Sequence, residues 1–425
     1  MENFKFDGLD IGEIVQGMET PFFLFSKNIL EQRYLEIKNN LNKHYPNNKI
    51  FYSAKTNFEE AVLKILHDLG SQLEIACGHE FFIAKKVGFR PDDICFDGAV
   101  KTDADLKYAV ENGPVLIHMD NFEEAERLNN IARGAGKKVK VGFRINPEIQ
   151  GFIRGPAVTY IRKFGIPLGQ ARQLYKDVQA RYSNLELVSI SAHIGSQITS
   201  IQPYKTLVRK LTGLAKDLEK DGITIREINL GGGFPSATLI KLGPVKFALN
   251  MVGVKMKPHI PSLAEYASEI SAEFALAVKD LKHKPVLAVE PGRSIASPMG
   301  ILISRVAAKK NSWLFLDASK YAIPESIFFS QNEIVPVKKY GKKASHSYDI
   351  AGSSLNTGDI LAINKRLPEM ESGDLIAIMD AGAYSLSRAV QFTVLDPPVY
   401  LIDSDKKLRL IRRAGQYEDL TLKTI

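Results

Sequence analysis

Lys55 stands in Phe51-Tyr52-Ser53-Ala54-Lys55-Thr56-Asn57, where the apolar run Ile50 to Ala54 gives way to a polar turn and then a helical pattern. An amine at the mouth of a buried strand has two readings. It is a solvated surface charge, or a group that loses its proton and attacks a carbonyl. More polar residues fall at the ends of other apolar runs: Glu74, Arg144, His193, the triplet Gly231-Gly232-Gly233, and Glu290-Pro291-Gly292-Arg293. Glycines remove Cβ atoms and let backbone N–H groups approach an anion, although a tight turn with positive φ also calls for glycine. His193, in Ser191-Ala192-His193-Ile194-Gly195-Ser196-Gln197, is either a core histidine or a ring that stacks on a flat ligand, with Ser196 placed to donate to a phosphate. Glu290 closes the apolar run Val286 to Val289, and a carboxyl buried there needs a cationic partner or a proton.

Residues so far apart in the chain need a scaffold that gathers them. Eight β-type runs, Lys49–Ala54, Gln72–Ala76, Asp93–Asp97, Val115–Met119, Lys138–Ile145, Val188–His193, Arg226–Leu230 and Pro285–Glu290, alternate with helical patterns. The helical patterns are Glu31–Leu41, Glu59–Leu69, His79–Val87, Asp103–Glu111, Phe122–Ala135, Leu168–Ala180, Tyr204–Asp221 and Leu263–Leu281. Such alternation predicts a parallel (β/α)8, TIM-like barrel, whose catalytic groups gather at the C-terminal strand ends and whose loops after strands seven and eight commonly bind phosphate. The glycine triplet and Gly292 fall on those two loops. From Val306 onward, β-type segments such as Trp313–Leu316, Ile360–Ile363, Leu375–Met379, Val399–Ile402 and Leu408–Ile411 replace the helices and predict an all-β barrel or sandwich. The expected domains are residues 28–293 for the barrel and 294–425 for the β domain, with a strand in residues 1–27 joining the latter.

Bulk properties narrow the classes. The chain has 425 residues, 45% hydrophobic and 24% charged, as a globular protein has. No apolar run approaches the roughly eighteen residues of a membrane span. The opening Met1-Glu2-Asn3-Phe4-Lys5-Phe6-Asp7 lacks the character of a secretion signal, and two cysteines, Cys77 and Cys95, make no disulfide scaffold. A cytoplasmic location is therefore expected. The net charge of +8 is spread over dispersed lysines, which reads as a solvated surface rather than a nucleic-acid face. His44, His67, His79, His118, His259, His283 and His346 lack a motif, and no Cys/His spacing matches a zinc site. An imine-forming lysine, a phosphate cradle, a stacking ring and a carboxyl for a ring nitrogen together point to pyridoxal phosphate.

His193-Ile194-Gly195-Ser196-Gln197, Gly231-Gly232-Gly233-Phe234-Pro235, Glu290-Pro291-Gly292-Arg293 and Asp380-Ala381-Gly382-Ala383-Tyr384 occur in this order. Through them the chain resembles the fold-type III pyridoxal-phosphate decarboxylases, the diaminopimelate, ornithine and arginine decarboxylase group, and within it the diaminopimelate branch. The resemblance implies an alanine racemase-like two-domain fold and a homodimer with shared active sites. It implies that Lys55 carries the cofactor as an imine and His193 stacks on its ring. Glu290 pairs with the ring nitrogen, and Ser196, Gly233, Gly292 and Tyr384 hold the phosphate. Arg293 contacts phosphate or a substrate carboxylate. Glu74 and Arg144 join the cofactor set from the barrel rim, as do Gly231 and Gly232. A carboxyl at the ring nitrogen favours decarboxylation, whereas the racemases of this fold carry arginine there.

Two stretches depart from the family pattern. In Gly352-Ser353-Ser354-Leu355-Asn356-Thr357-Gly358-Asp359, Leu355 replaces a proton-donating cysteine and Asn356 a substrate-contacting acid. In Glu325-Ser326-Ile327-Phe328-Phe329, Glu325 replaces an arginine and Phe329 a tyrosine that clasp a distal carboxylate. Glutamate repels a carboxylate. The expected activity is decarboxylation of an amino acid other than diaminopimelate, with a cationic tail as one option. Alternatives are an altered outcome with the same cofactor (racemase, or decarboxylation-coupled oxidase or transaminase) and a cofactor-binding protein with little catalysis.

Overall fold

The computed structural model describes residues 4–113, 115–149, 163–236, 240–241, 260–324 and 330–424. The chain divides into two compact units. One comprises Tyr34–Phe234 and Ile260–Gly292, the other Met1–Arg33, Pro235–His259 and Arg293–Ile425.

The first unit is the expected closed barrel. Its strands one to eight are Asn48–Ser53, Gln72–Ile75, Ile94–Phe96, Leu116–Met119, Val139–Asn146, Leu185–Ser191, Glu227–Asn229 and Val286–Val289. All pair in parallel with their neighbours, and strand eight returns to strand one through Leu287 opposite Asn48 and Val289 opposite Ile50. The strands are short and mostly buried, so their apolar runs show little alternation.

Local signals set the helices. Asp103–Asn112 begins at a reciprocal cap in which Thr102 Oγ1 accepts from Asp105 N (3.1 Å) and Asp105 Oδ2 accepts from Thr102 N (3.1 Å). Leu263–Ala277 starts with the same device on Ser262 and Glu265. Gln202–Lys220 buries Tyr204, Leu207, Val208, Leu211, Leu214, Ala215 and Leu218, a stripe at helical spacing. Each fully buried leucine there contributes roughly 1.5–3 kcal/mol.

The second unit is built on a nine-stranded sheet. Gly300–Lys310 is central, pairing antiparallel with Phe22–Ser26, Trp313–Leu316 and Leu375–Ile378. Phe22–Ser26 also pairs in parallel with Val399–Ile402. The N-terminal segment thus forms part of this sheet, and Phe22, Leu24, Ile301, Ile303, Ala377 and Ile402 pack into one apolar core with Phe4 and Ile11. No helix among the described residues is long and apolar enough to cross a membrane.

Candidate active site

Strand one runs into a single tight turn, Ala54–Thr56, that sets Lys55 at the C-terminal rim with its side chain 44% exposed. Lys55 Nζ donates to both carboxylate oxygens of Glu74 on strand two, at 2.8 Å each. Glu74 is buried and also accepts from Ser53 Oγ. Glu290 follows strand eight, buried, and its Oε1 accepts from Asn229 Nδ2 of strand seven at 2.8 Å. Asp97, just past strand three, brings in a third carboxyl. Oxygens of Glu74, Asp97 and Glu290 all lie within 4.8 Å of one another. Two like charges about 5 Å apart repel by roughly 3 kcal/mol even at an effective dielectric of about 20. Three ionised carboxylates are therefore not stable together here.

Partners decide which group keeps the proton. Asp97 Oδ1 lies 3.3 Å from His118 Nδ1 and accepts from Ser191 Oγ at 3.4 Å. Burial opposes its charge, but His118, Arg144 and Lys101 outweigh that and hold Asp97 below the usual carboxylate range. Glu290 accepts from a neutral amide. Burial, and then Asp97 and Glu74, push it well above that range, against Lys55 and Arg144.

His193 follows strand six, and its Nδ1 accepts from Gly232 N at 3.0 Å, which puts the proton of the neutral ring on Nε2. Desolvation lowers His193 to about 3, aided by Arg144 and Lys55, so the ring is neutral at physiological pH. The glycine triplet has a steric explanation as well as a phosphate one. A Cβ would meet Ala192 O at 2.5 Å from Gly231, Glu290 O at 2.2 Å from Gly232, and Gly195 O at 2.3 Å from Gly233. Gly231 and Gly233 also have φ of 67° and 97°. A Cβ on Gly292 would meet Thr56 Oγ1 at 2.1 Å. These glycines let the loops after strands one, six, seven and eight close together. Ser196 is exposed on the strand-six loop, and Arg144 on strand five lies over the Phe164 ring, 4.7 Å from its centroid.

In the second unit, Arg293 is buried with its guanidinium 4.6 Å from the centroid of the Tyr384 ring, and Tyr384 takes a left-handed φ of 57°. Leu355 and Asn356 lie on an exposed loop, Leu355 at 96% exposure. Glu325 and Phe329 lie outside the described residues.

A family model described as pyridoxal-dependent decarboxylase, pyridoxal binding domain, matches residues 30–297. The chain belongs to the pyridoxal-dependent decarboxylases. Diaminopimelate decarboxylase from Aquifex aeolicus is 30% identical over 421 residues, 97% of this chain and 93% of that one. The crystal structure of diaminopimelate decarboxylase from M. jannaschii has a TM-score of 0.88 at 26% identity, covering 100% of this chain and 96% of that one. The enzyme of that name from Helicobacter pylori, complexed with L-lysine, gives 0.83 at 27%, covering 96% and 98%. This decarboxylase therefore has the fold and the cofactor, pyridoxal phosphate, expected from its sequence. Its barrel residues fit that group: an amine at the rim, close-approach glycines on the loops, and a buried carboxyl bonded to a neutral amide.

Sequence reasoning passed over Asp97, His118, Asn229 and Glu80. The available signal was a polar residue inside or just beyond an apolar strand, as in Leu116-Ile117-His118-Met119. Glu80, buried in the first turn of the helix Gly78–Val87, accepts from Ala76 N at 2.7 Å. Burial raises it to about 7 against that hydrogen bond; Glu74 adds to the rise and Lys55 opposes it. A carboxyl raised on folding stabilises the protein below its unfolded pKa, and that stability is lost as pH climbs through the folded value. Glu80→Gln keeps an acceptor for Ala76 N and cannot ionise. It is expected to be the more stable protein at pH 8 by on the order of 2 kcal/mol and near parity at pH 4. Denaturant melts at the two pH values check this.

Proposed function

We propose that the chain decarboxylates a free amino acid lacking a distal carboxylate, as a homodimer in the cytoplasm. Bound pyridoxal phosphate supplies the electron sink for the pair left when carbon dioxide departs. Lys55 would hold the aldehyde end, with Glu74 orienting Nζ. Glu290 holds a proton at Oε for the ring nitrogen, and His193 presents a neutral ring face. Gly231, Gly232, Gly233, Gly292 and Ser196 suit phosphate. Arg293 and Tyr384, stacked on each other, suit phosphate or the substrate's own carboxylate. The observation that carries this reading is the Lys55–Glu74 pair within reach of the buried, amide-bonded Glu290. Purified, cofactor-loaded protein offered a panel of amino acids should release carbon dioxide and yield amine with the cofactor unchanged. Release of no carbon dioxide with any of them would sink the proposal.

Leu355 and Glu325 support the substrate restriction. A leucine donates no proton, and a glutamate repels a distal carboxylate. Glu325→Arg is expected to lower kcat/KM for amino acids with a cationic tail by about 10-fold or more, a loss of at least about 1.4 kcal/mol. Undiminished activity would remove Glu325 from specificity. A second reading, diaminopimelate itself, is favoured by 30% identity across nearly the whole length of an enzyme of that name; the same panel decides between them.

The dimer is supported by the bare Leu355 side chain, an apolar group at the tip of a polar loop. If that loop completes a partner's site, mixing Lys55→Ala with Leu355→Asp should recover activity that neither homodimer has, to about a quarter of wild type after statistical exchange. Recovery of none would reject shared sites.

A further inference from the structure

The barrel holds one carboxyl more than its lysine and its Glu290 need. Asp97 stands within 4.8 Å of both Glu74 and Glu290 by its oxygens, and it is clasped from behind by His118 and Ser191. His118 is fully buried and fixed at its far side, Nε2 lying 2.8 Å from Ser189 Oγ. With Asp97 as the acceptor, His118 Nδ1 carries the donated hydrogen, and Ser189 Oγ donates to Nε2. Tyr175 supports the arrangement by donating to Ser189 O at 2.6 Å.

Each of the three carboxyls has a different partner: Glu74 a lysine, Asp97 a histidine and a serine, Glu290 the amide of Asn229. We propose that Asp97, clasped by His118, is a positioning residue that commits the one proton of this acid trio to Glu290, and so keeps a proton in the hydrogen bond between Glu290 and the ring nitrogen of the bound cofactor. This rests on the pyridoxal reading above.

The charge acts through space. Asp97 faces Glu290 as a neighbouring anion, and a proton between Glu290 and a ring nitrogen is harder to remove beside it. The other charged groups around Glu290 are Glu74, which acts in the same direction, and Lys55 and Arg144, which oppose it. Around Asp97 the groups that favour its charge are His118, Arg144 and Lys101, and the Cys95 thiol, which burial pushes up, lies 3.2 Å from His118 Nδ1 and within 4.8 Å of Glu290. Lys101 Nζ is committed elsewhere, to Glu124 at 2.6 Å and to the carbonyls of Gly98 and His118. Asp97 touches no reacting atom in this scheme; its effect is on the proton held by Glu290.

The test follows the isotope-labelled ring nitrogen of pyridoxal phosphate bound to the full-length protein, by NMR across pH. In wild type, the signal should stay at the protonated position through alkaline pH. Asp97→Asn should bring its loss of the proton to lower pH by at least about one unit. Asp97→Glu should restore it. His118→Gln, which leaves Asp97 without its clasp, should move the titration in the same direction as Asp97→Asn. A merely structural role would alter melting or cofactor content without moving the titration. A folded, cofactor-loaded Asp97→Asn that titrates with wild type overturns the proposal; if that variant does not fold, an unmoved His118→Gln overturns it. A wild-type protein that binds no pyridoxal phosphate gives no ring-nitrogen signal, and that result overturns the functional reading instead. Infrared spectra of the unloaded protein then still decide for Asp97. At pH 9, above the value of about 7 to which burial raises Glu80, the protonated-carboxyl band that Glu290→Gln removes should be present in wild type and diminished in Asp97→Asn, and an undiminished band in Asp97→Asn overturns the inference.

Discussion

Lys55→Ala is expected to remove the visible absorbance of the cofactor-loaded protein and to lower carbon dioxide release by at least roughly 10³-fold. The amine is the nucleophile available at the rim beside the acid trio, on a turn closed by Gly292 against Thr56. Truncation also leaves Glu74 buried beside Ser53 Oγ without the ammonium it pairs with. Pyridoxal phosphate should still bind through its phosphate and remain removable by dialysis, and small primary amines should restore part of the lost rate. An unaltered visible spectrum in the variant would place the cofactor elsewhere.

Glu290→Gln separates two effects that one residue combines. Glutamine preserves shape and can bond to Asn229, but it provides no acidic proton for a ring nitrogen. The expected fall in kcat is about 10²- to 10⁴-fold with little change in cofactor content. The unloaded protein should respond oppositely. Glu290 is raised on folding, so folded chain keeps a proton that unfolded chain releases above the ordinary carboxylate range. Stability tied to that proton is complete below the unfolded value and is lost as pH rises through the raised one. Glutamine has no such loss. Melts of the unloaded proteins should converge at acid pH and favour Glu290→Gln at alkaline pH. If wild type and variant fall in parallel across that range, Glu290 is not the proton-bearing member of the trio.

Most of the barrel was readable in advance because its strands are short, apolar and regularly separated. Ile94–Phe96 and Val286–Val289 each sit inside the run expected for them. Errors came where distant residues decide the outcome. Strand six begins at Leu185, three residues before the apolar pattern starts, because Leu185 and Glu186 pair with Val139 and Lys140 of strand five. The first long helix begins at Lys27 rather than Glu31, and Ser26 Oγ accepts from Ile29 N at 3.1 Å at its start. Lys55, Glu74, His193 and Glu290 stood out because each lies on or near the end of an apolar run. His118 and Asp97 did not, since a polar side chain facing the barrel's interior acquires meaning only once strands three to six are known to lie side by side there.

Asp359 organises the loop that ends in Leu355 and Asn356. It is buried and accepts from Ser319 Oγ, Lys320 N, Ser354 N and Ser354 Oγ, while a Cβ on Gly352 would strike its carboxylate at 2.4 Å. The loop is therefore shaped from its base, and its tip bears little of the folding burden. Leu355 is the position on this loop whose side chain is bare, whereas Asn356 also ties the turn through Gly358 N. If the proposed shared site is right, descendants of this scaffold, natural or selected in a library, can trade one small-molecule preference for another at residue 355 without first having to rescue a damaged fold.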